Sequence, residues 1–154
     1  MRQFALLVAV VVLVGCGKKP LFDPNNKDHV KIEAAVRKEL KKPEGELTKV
    51  DLEKVTKLVL FQNQLTDVSA LTGLKQLEGL NLNDNQLTDV SALAGLTQLK
   101  TLLLAYNKLT DVSALKGLKK LETLYLNEND LTEAEIDMLK KALPNCEINH
   151  TAKN

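Results

Sequence analysis

The heptapeptide Leu-Thr-Asp-Val-Ser-Ala-Leu occurs three times in the chain, at residues 65–71, 87–93 and 109–115. Each copy begins 22 residues after the previous one, and a shortened copy, Leu131-Thr132, keeps that spacing. Extended outward, the heptapeptide becomes the unit L-x-x-L-x-L-x-x-N-x-L-T-D-V-S-A-L-x-G-L-x-x, which fills residues 55–76, 77–98, 99–120 and 121–142. Self-similarity at such a period predicts a solenoid of stacked units.

Each unit combines a short strand with a path that returns to the next strand. In the second unit Leu80 and Leu82 alternate with Asn81 and Asn83, the period-two spacing of a strand with one buried face. Further aliphatic residues complete one turn of the coil, at Leu77, Leu87, Val90, Leu93 and Leu96. A single coil leaves its two ends open, so the units must stack, with their strands paired in a parallel ladder about 4.8 Å apart.

The repeated unit resembles that of the bacterial, internalin-like leucine-rich repeat proteins, and the resemblance spans residues 55–142. It also accounts for the composition, in which 31 of 154 residues are leucine. The resemblance implies an α/β solenoid of four 22-residue repeats, whose short parallel strands line a concave face. In this family the fold does not determine the partner.

Two polar columns recur with the period of the repeat. Asparagine occupies one position of every unit, and we predict that its amide faces inward and binds backbone groups; a ligand site is the alternative. Aspartate followed by serine occupies another position, and we predict turn capping there, with calcium binding as the alternative. The columns are Asn63, Asn85, Asn107 and Asn129, and Asp67, Asp89 and Asp111.

Helical segments are predicted to close both ends of the solenoid. Residues 28–54 form the N-terminal cap, with a helix over 28–42 that ends before Pro43 and a second helix that begins at Thr48. Residues 132–150 form the C-terminal cap, in which a helix begins at a Thr132–Glu135 capping box and a last short strand follows. The cap helix overlaps the fourth repeat. Both segments resemble the caps of bacterial leucine-rich repeat proteins.

The first residues have the pattern of an export signal. One positive charge, Arg2, precedes an apolar run over residues 4–14, which is too short to span a bilayer. Leu13-Val14-Gly15-Cys16 then resembles the lipobox of bacterial lipoproteins. The resemblance implies removal of residues 1–15 and attachment of diacylglycerol and an acyl chain such as palmitate to Cys16. An ordinary secretory signal with a chance cysteine is the alternative.

Residues 16–27 are rich in lysine, proline and asparagine, and we predict that they tether the domain to the lipid anchor. Gly17 follows the cysteine where inner-membrane lipoproteins of Gram-negative bacteria tend to carry aspartate. The resemblance therefore implies a location in the bacterial cell envelope, at the outer membrane if the cell is Gram-negative.

The composition gives no sign of nucleic-acid binding or of catalysis. Without residues 1–15 the chain has 20 basic and 20 acidic side chains, hence no net charge to attract nucleic acid. No nucleophile–base pair, metal-ligand spacing or phosphate-binding loop is apparent among its residues. We therefore expect a monomeric protein that is not an enzyme and carries no cofactor or metal.

The outward side chains of the strands form the candidate site. Phe61, Tyr106 and Tyr125, three of the four aromatic residues that follow Cys16, fall in these outward columns beside asparagines. Rigid aromatic groups interspersed with amides are typical of a binding surface. The surface is predicted to comprise Lys57, Val59, Phe61, Asn81, Asn83, Leu103, Ala105, Tyr106, Tyr125 and Asn127.

These patterns favour a lipid-anchored binding module that holds a protein or peptide on its concave face. A short glycan is a possible alternative ligand, since the predicted surface is narrow. The rival hypothesis is a structural envelope lipoprotein without a defined ligand, because scattered exposed apolar residues are also normal on proteins.

Overall fold

The computed structural model describes residues 20–152. The predicted signal peptide, the lipobox and Cys16 lie outside the described residues. In the described part of the chain, no helix is both long enough and apolar enough to cross a bilayer.

A five-stranded parallel sheet forms one wall of the solenoid, and its strands lie in sequence order. The first four strands each contribute a buried central leucine and the fifth a half-buried isoleucine, and the register places Leu58, Leu80, Leu102, Leu124 and Ile148 side by side. The predicted leucine-rich repeat solenoid is therefore confirmed. The strands are β1 (Lys57–Val59), β2 (Gly79–Asn81), β3 (Thr101–Leu103), β4 (Thr123–Tyr125) and β5 (Glu147–Asn149).

The return path of each of the first three repeats carries a short 3₁₀ helix on the convex side. These helices span Ser69–Gly73, Ser91–Leu93 and Ser113–Gly117. The aspartate two residues earlier fixes the start of each one. Asp89 Oδ1 accepts a hydrogen bond from the N–H of Ser91 at 2.7 Å, and Asp89 Oδ2 accepts one from its hydroxyl at 2.8 Å. The predicted turn-capping role is confirmed.

The aspartate column has no metal-binding geometry, since the described residues contain no cluster of His, Cys, Asp or Glu suited to a metal ion. Hydrogen bonds from the backbone and hydroxyl of Ser113 lower the pKa of Asp111 below its ordinary value. The carboxylate of Asp111 is therefore held in its charged form by the turn that it caps.

The asparagine column runs through the interior as predicted. Asn107 Nδ2 donates to the carbonyl oxygens of Leu82 and Leu104, both at 3.0 Å, and its Oδ1 accepts from the N–H of Leu87 at 3.0 Å. Asn85 and Asn129 are buried in equivalent networks. The side chain thus joins its own coil to the preceding one, which satisfies polar backbone groups that would otherwise be buried unpaired.

The first asparagine departs from that prediction. Asn63 is half-buried, and its Nδ2 donates only to the carbonyl of Phe61, at 2.9 Å. The reason is its position: no repeat precedes the first one, so there is no coil for this amide to join.

The N-terminal cap consists of α1 (Lys27–Glu39) and α2 (Lys49–Leu52). Helix α1 ends three residues earlier than predicted because Lys41 turns into the left-handed region, with φ 52°. The N–H groups of Lys41 and Lys42 then bind the carbonyls of Lys38 and Arg37, which is a Schellman ending. The predicted capping box of α2 is present between Thr48 and Asp51.

A buried carboxylate fastens α1 to the first repeat. Asp28 Oδ2 accepts hydrogen bonds from the N–H and hydroxyl of Thr66, at 2.8 and 2.9 Å, and from the N–H of Asp67 at 2.9 Å. Burial alone raises the pKa of Asp28, but these hydrogen bonds outweigh it, so the pKa lies below its ordinary value. The cap is therefore joined to the repeats by charge-assisted hydrogen bonds.

The predicted tether over residues 16–27 is too long at its C-terminal end. Phe22 is only 5% exposed and belongs to the hydrophobic core. Asn26 caps α1 and also donates to Asp67 at 2.8 Å. Any tether therefore ends by Leu21, because the residues after it pack against the cap and the first repeat.

The C-terminal cap is built from α3 (Glu133–Ala142) and β5. Thr132 caps α3 by accepting from the N–H of Glu135, as predicted. The reciprocal half of that capping box is absent: Glu135 Oε2 instead accepts from the N–H of Val112 at 3.3 Å, which fastens α3 to the third repeat. Strand β5 pairs with β4, so the predicted last strand extends the concave sheet by one position in each column.

Candidate binding surface

The concave face is formed by the side chains that flank the buried centre of each strand. The strand register aligns them in two columns that run across the sheet. The first column contains Lys57, Gly79, Thr101, Thr123 and Glu147, and the second contains Val59, Asn81, Leu103, Tyr125 and Asn149. The third and fourth columns lie just beyond the strand ends, and they begin with Phe61 and Gln62.

Exposed apolar side chains are concentrated on this face. Val59 is 68% exposed, Tyr106 60%, Phe61 45% and Tyr125 39%. Among the described residues only three other large hydrophobic side chains are comparably exposed, Leu21, Val30 and Val50. Four of these seven residues lie on the concave face, in or just beyond its strands, which argues against random scatter.

The asparagines between these apolar groups are oriented by the backbone. Asn81 Oδ1 accepts from the N–H of Asn83 at 3.0 Å, and Asn83 Oδ1 accepts from the N–H of Ala105 at 2.8 Å. Their oxygens are therefore occupied, whereas neither Nδ2 group has a hydrogen-bond partner within residues 20–152. The Nδ2 groups of Asn81 and Asn83 in the second repeat are thus oriented donors, suited to carbonyl oxygens of a ligand.

The prediction that Ala105 belongs to the exposed binding surface is wrong. Ala105 is only 6% exposed, because its methyl group is too short to rise above the larger side chains of neighbouring columns. Its role is structural, since its N–H holds the amide of Asn83. Lys57 is exposed as predicted, and Leu103 and Asn127 are half-buried.

The backbone next to the strands has a feature that the sequence did not reveal. Gln62, Asp84, Tyr106 and Glu128, which form the fourth column, all have left-handed backbone, with φ between 53° and 59°. Glutamine, aspartate and glutamate occupy three of these sites, and Gln62 Nε2 donates to Asp84 Oδ2 at 2.9 Å. At the remaining site a large aromatic side chain is held in a conformation that costs about 1–2 kcal/mol. The repeat imposes this conformation at all four sites, and at Tyr106 the backbone N–H donates to the carbonyl of Asn127 on the next coil at 2.9 Å.

The C-terminal end of the concave face is acidic. A cavity of about 220 Å³ lies near this end, and Glu128 and Asp130 form part of its wall. Glu147 adds a further negative charge in the first column, while Lys57 lies at the opposite end. The cavity is lined by Asn107, Glu128, Asn129, Asp130 and Thr151.

A cluster in the N-terminal cap brings together histidine, serine and aspartate, but its hydrogen bonds indicate a structural role. His29 Nε2 lies 2.8 Å from the hydroxyl of Ser69, which donates to Asp67 at 3.0 Å. His29 Nδ1 accepts from the N–H of Asp23 at 3.0 Å, so the proton of the neutral ring is on Nε2. The ring therefore donates to Ser69 and has no free nitrogen to accept its proton.

Cys146 is half-buried against the core, and its burial raises the pKa of the thiol. A raised pKa makes the thiolate scarcer at neutral pH, so this cysteine behaves as a small apolar group.

Comparison with known proteins agrees with this architecture. The family described as Leucine Rich repeats (2 copies) matches residues 53–95 and 97–145. No curated protein matches the sequence significantly.

Three solved structures illustrate the likeness. An internalin of Listeria monocytogenes is 28% identical with a TM-score of 0.68, and the match covers 80% of this chain and 44% of that one. A leucine-rich repeat protein of Leptospira interrogans is 31% identical with a TM-score of 0.60, over 67% of this chain and 28% of that one. Internalin C2 of L. monocytogenes, 22% identical with a TM-score of 0.54, shares the fold over 87% of this chain and 88% of that one.

This chain spans less than half the length of the first and the second of these proteins. Repeat period, strand register, asparagine column and family match all agree, and the chain belongs to the leucine-rich repeat family.

Proposed function

We propose that the protein is a lipid-anchored, non-catalytic binding module of the bacterial cell envelope, and that it holds a protein or peptide partner on its concave face. The observation that carries the proposal is the concentration of exposed aromatic and aliphatic side chains on the concave face, at Val59, Phe61, Tyr106 and Tyr125. Aromatic anchors of this kind supply much of the binding energy in protein interfaces.

The dimensions of the surface favour an extended segment of the partner. Five strands about 4.8 Å apart make a sheet roughly 20–25 Å across, which suits a peptide or loop better than a broad globular face. The oriented amides of Asn81 and Asn83 can donate hydrogen bonds to main-chain carbonyls of such a segment.

The anchor is supported by the sequence alone, through the resemblance of Leu13-Val14-Gly15-Cys16 to a lipobox. Acylation at Cys16 with two or three chains would hold the domain stably at a membrane, where a single chain is marginal. Gly17 after the cysteine favours the outer membrane in a Gram-negative cell.

Capture of the partner from solubilised envelope tests the binding proposal. A variant carrying Phe61→Ala, Tyr106→Ala and Tyr125→Ala should capture at least about 30-fold less partner, because the loss of even one anchor worth about 2 kcal/mol lowers the affinity by that factor. Its melting temperature should change little, since the three side chains are exposed. Mass spectrometry of the eluted proteins, with glycan analysis beside it, identifies the class of ligand.

The matched control removes three apolar side chains that are exposed elsewhere, through Leu21→Ala, Val30→Ala and Val50→Ala. The control should capture as much partner as the unmodified protein. Equal capture by all three proteins would contradict the proposed role of the concave face and favour the structural alternative.

A further inference from the structure

We infer that the outer face of α1 lies on anionic phospholipid headgroups of the membrane that carries the protein, so that the N-terminal cap is seated on the bilayer. The inference rests on the proposed anchor at Cys16. It concerns a surface other than the concave columns, on the helix that packs against β1 and the rest of the first repeat.

The length of chain between the proposed anchor and the core limits the distance of the cap from the membrane. Phe22 is buried, and six peptide units separate it from Cys16. Fully extended, six residues span at most about 20 Å. Asn26, at the start of α1, is fixed to Asp67 of the first repeat. The domain is therefore held close to the bilayer by its N-terminal cap, with little freedom to move away from it.

The two faces of α1 differ sharply in chemistry. Its inner face carries Asp28, Ile32 and Val36, all buried at a spacing of four residues. The opposite face consists of side chains directed away from the repeats, without a carboxylate among them. These outward residues are Lys27, Val30, Ala34 and Lys38, and all four are exposed.

The carboxylates nearest to this face offset its charge only in part: Glu39, exposed at the end of α1, directly follows Lys38. Glu33 lies at its margin and is paired with Arg37, with Arg37 Nη2 2.7 Å from Glu33 Oε1. Lys31 lies 3.5 Å from Asp28 and donates to the carbonyl of Asn63 at 2.7 Å, so it also serves the cap. Lys27 and Lys38 are exposed, and neither forms an ion pair with the described residues.

Charge complementarity identifies the occupant as an anionic lipid surface. Each lysine near such a surface raises the binding constant for that surface about fivefold. Val30, 47% exposed, projects from the same face as a small apolar contact. Once the anchor has brought the domain to the membrane, the charges of Lys27 and Lys38 favour one orientation of it.

Site-specific labelling of the acylated mature protein tests the inference. Ala34 and Ala134 are exposed alanines on α1 and α3, the helices of the two opposite caps. Each is changed to cysteine in a Cys146→Ser background and labelled with a fluorophore. The proteins are then reconstituted in vesicles of phosphatidylcholine, with or without phosphatidylglycerol, that contain a headgroup-attached quencher.

The label at position 34 should be quenched strongly in vesicles that contain phosphatidylglycerol and weakly in those that lack it. The label at position 134 should be quenched weakly in both. One molar salt shortens the screening length to about 3 Å and should relieve the quenching at position 34, while the protein still floats with the vesicles.

Charge reversal provides a second arm. Lys27→Glu with Lys38→Glu should shift the equilibrium between seated and free orientations at least about 30-fold toward the free one. The control, Lys108→Glu with Lys116→Glu, makes the same charge change on exposed side chains of the third repeat and should leave the quenching unaltered.

The outcomes separate the inference from the proposed function. If the acylated protein shows equal quenching at positions 34 and 134, or quenching that does not depend on phosphatidylglycerol, the inferred contact of α1 with the bilayer is wrong. Such a result leaves the proposed anchor intact. A mature protein whose mass shows no lipid would overturn the anchor and the seating together, without bearing on the concave face.

Discussion

Replacing Asn107 with alanine is expected to lower the free energy of unfolding by about 2–3 kcal/mol. The substitution removes the only acceptor for the buried N–H of Leu87, and it removes one donor from each of the carbonyls of Leu82, Leu104 and Ala105. The carbonyls of Leu82 and Leu104 keep a second donor from Asn85 and Asn129. The N–H of Leu87 therefore accounts for most of the cost, and urea unfolding followed by circular dichroism measures it.

Asn63→Ala is the matched control, because it makes the same substitution in the same column at the end of the ladder. Asn63 is half-buried and makes one hydrogen bond to a nearby carbonyl. We expect its loss to cost less than about 1 kcal/mol. Similar costs at both positions would contradict the interpretation of the asparagine column as a connection between successive coils.

Cys16→Ser is expected to abolish lipid attachment completely, because the thioether requires the sulfur atom. Cells fed a radioactive or clickable palmitate should label the unmodified protein and leave the variant unlabelled. The variant should also leave the membrane fraction, since burial of acyl chains contributes about 0.8 kcal/mol per CH₂ group.

Cys146→Ser is the control for this experiment, since Cys146 is the other cysteine of the chain. It lies half-buried at the C-terminal cap, where lipid attachment is not expected. The control protein should keep its label and its membrane association. Palmitate label that persists in the Cys16→Ser protein would contradict the lipobox interpretation.

The regular part of the fold was predictable from the sequence because each repeat carries the same physical information. Leu80 and Leu82 predicted a strand with one buried face, and the strand is there in register with its neighbours. The asparagine that follows predicted backbone hydrogen bonds across coils, and Asn85, Asn107 and Asn129 make them.

The ends were harder to predict because they occur once and depend on tertiary contacts. Phe22 lies among polar and turn-forming residues, so nothing local indicates that it joins the core. Glu135 was predicted to complete a capping box, but it bonds instead to the backbone of Val112 on the neighbouring repeat. The early end of α1 depends on a left-handed lysine, Lys41, which residue preference does not indicate.

The candidate site was predictable in outline, since alternation along the strands identifies which side chains face outward. The prediction failed at Ala105, because the alternation along a strand gives the direction of a side chain and not whether that side chain is exposed above its neighbours. The sequence also provided no sign that the residues of the fourth column have left-handed backbone. Aspartate at position 84 is compatible with that backbone, but Tyr106 at the equivalent site hides the pattern.

Photo-crosslinking in the intact envelope tests the central claim, a partner on the concave face, most directly. A photoreactive amino acid in place of Leu103 lies at the middle of the concave sheet, and one in place of Ala94 lies on the convex return path of the second repeat. The account predicts a discrete adduct from position 103 and none from position 94. An adduct from position 94 with none from position 103, or equal adducts from both, would contradict it.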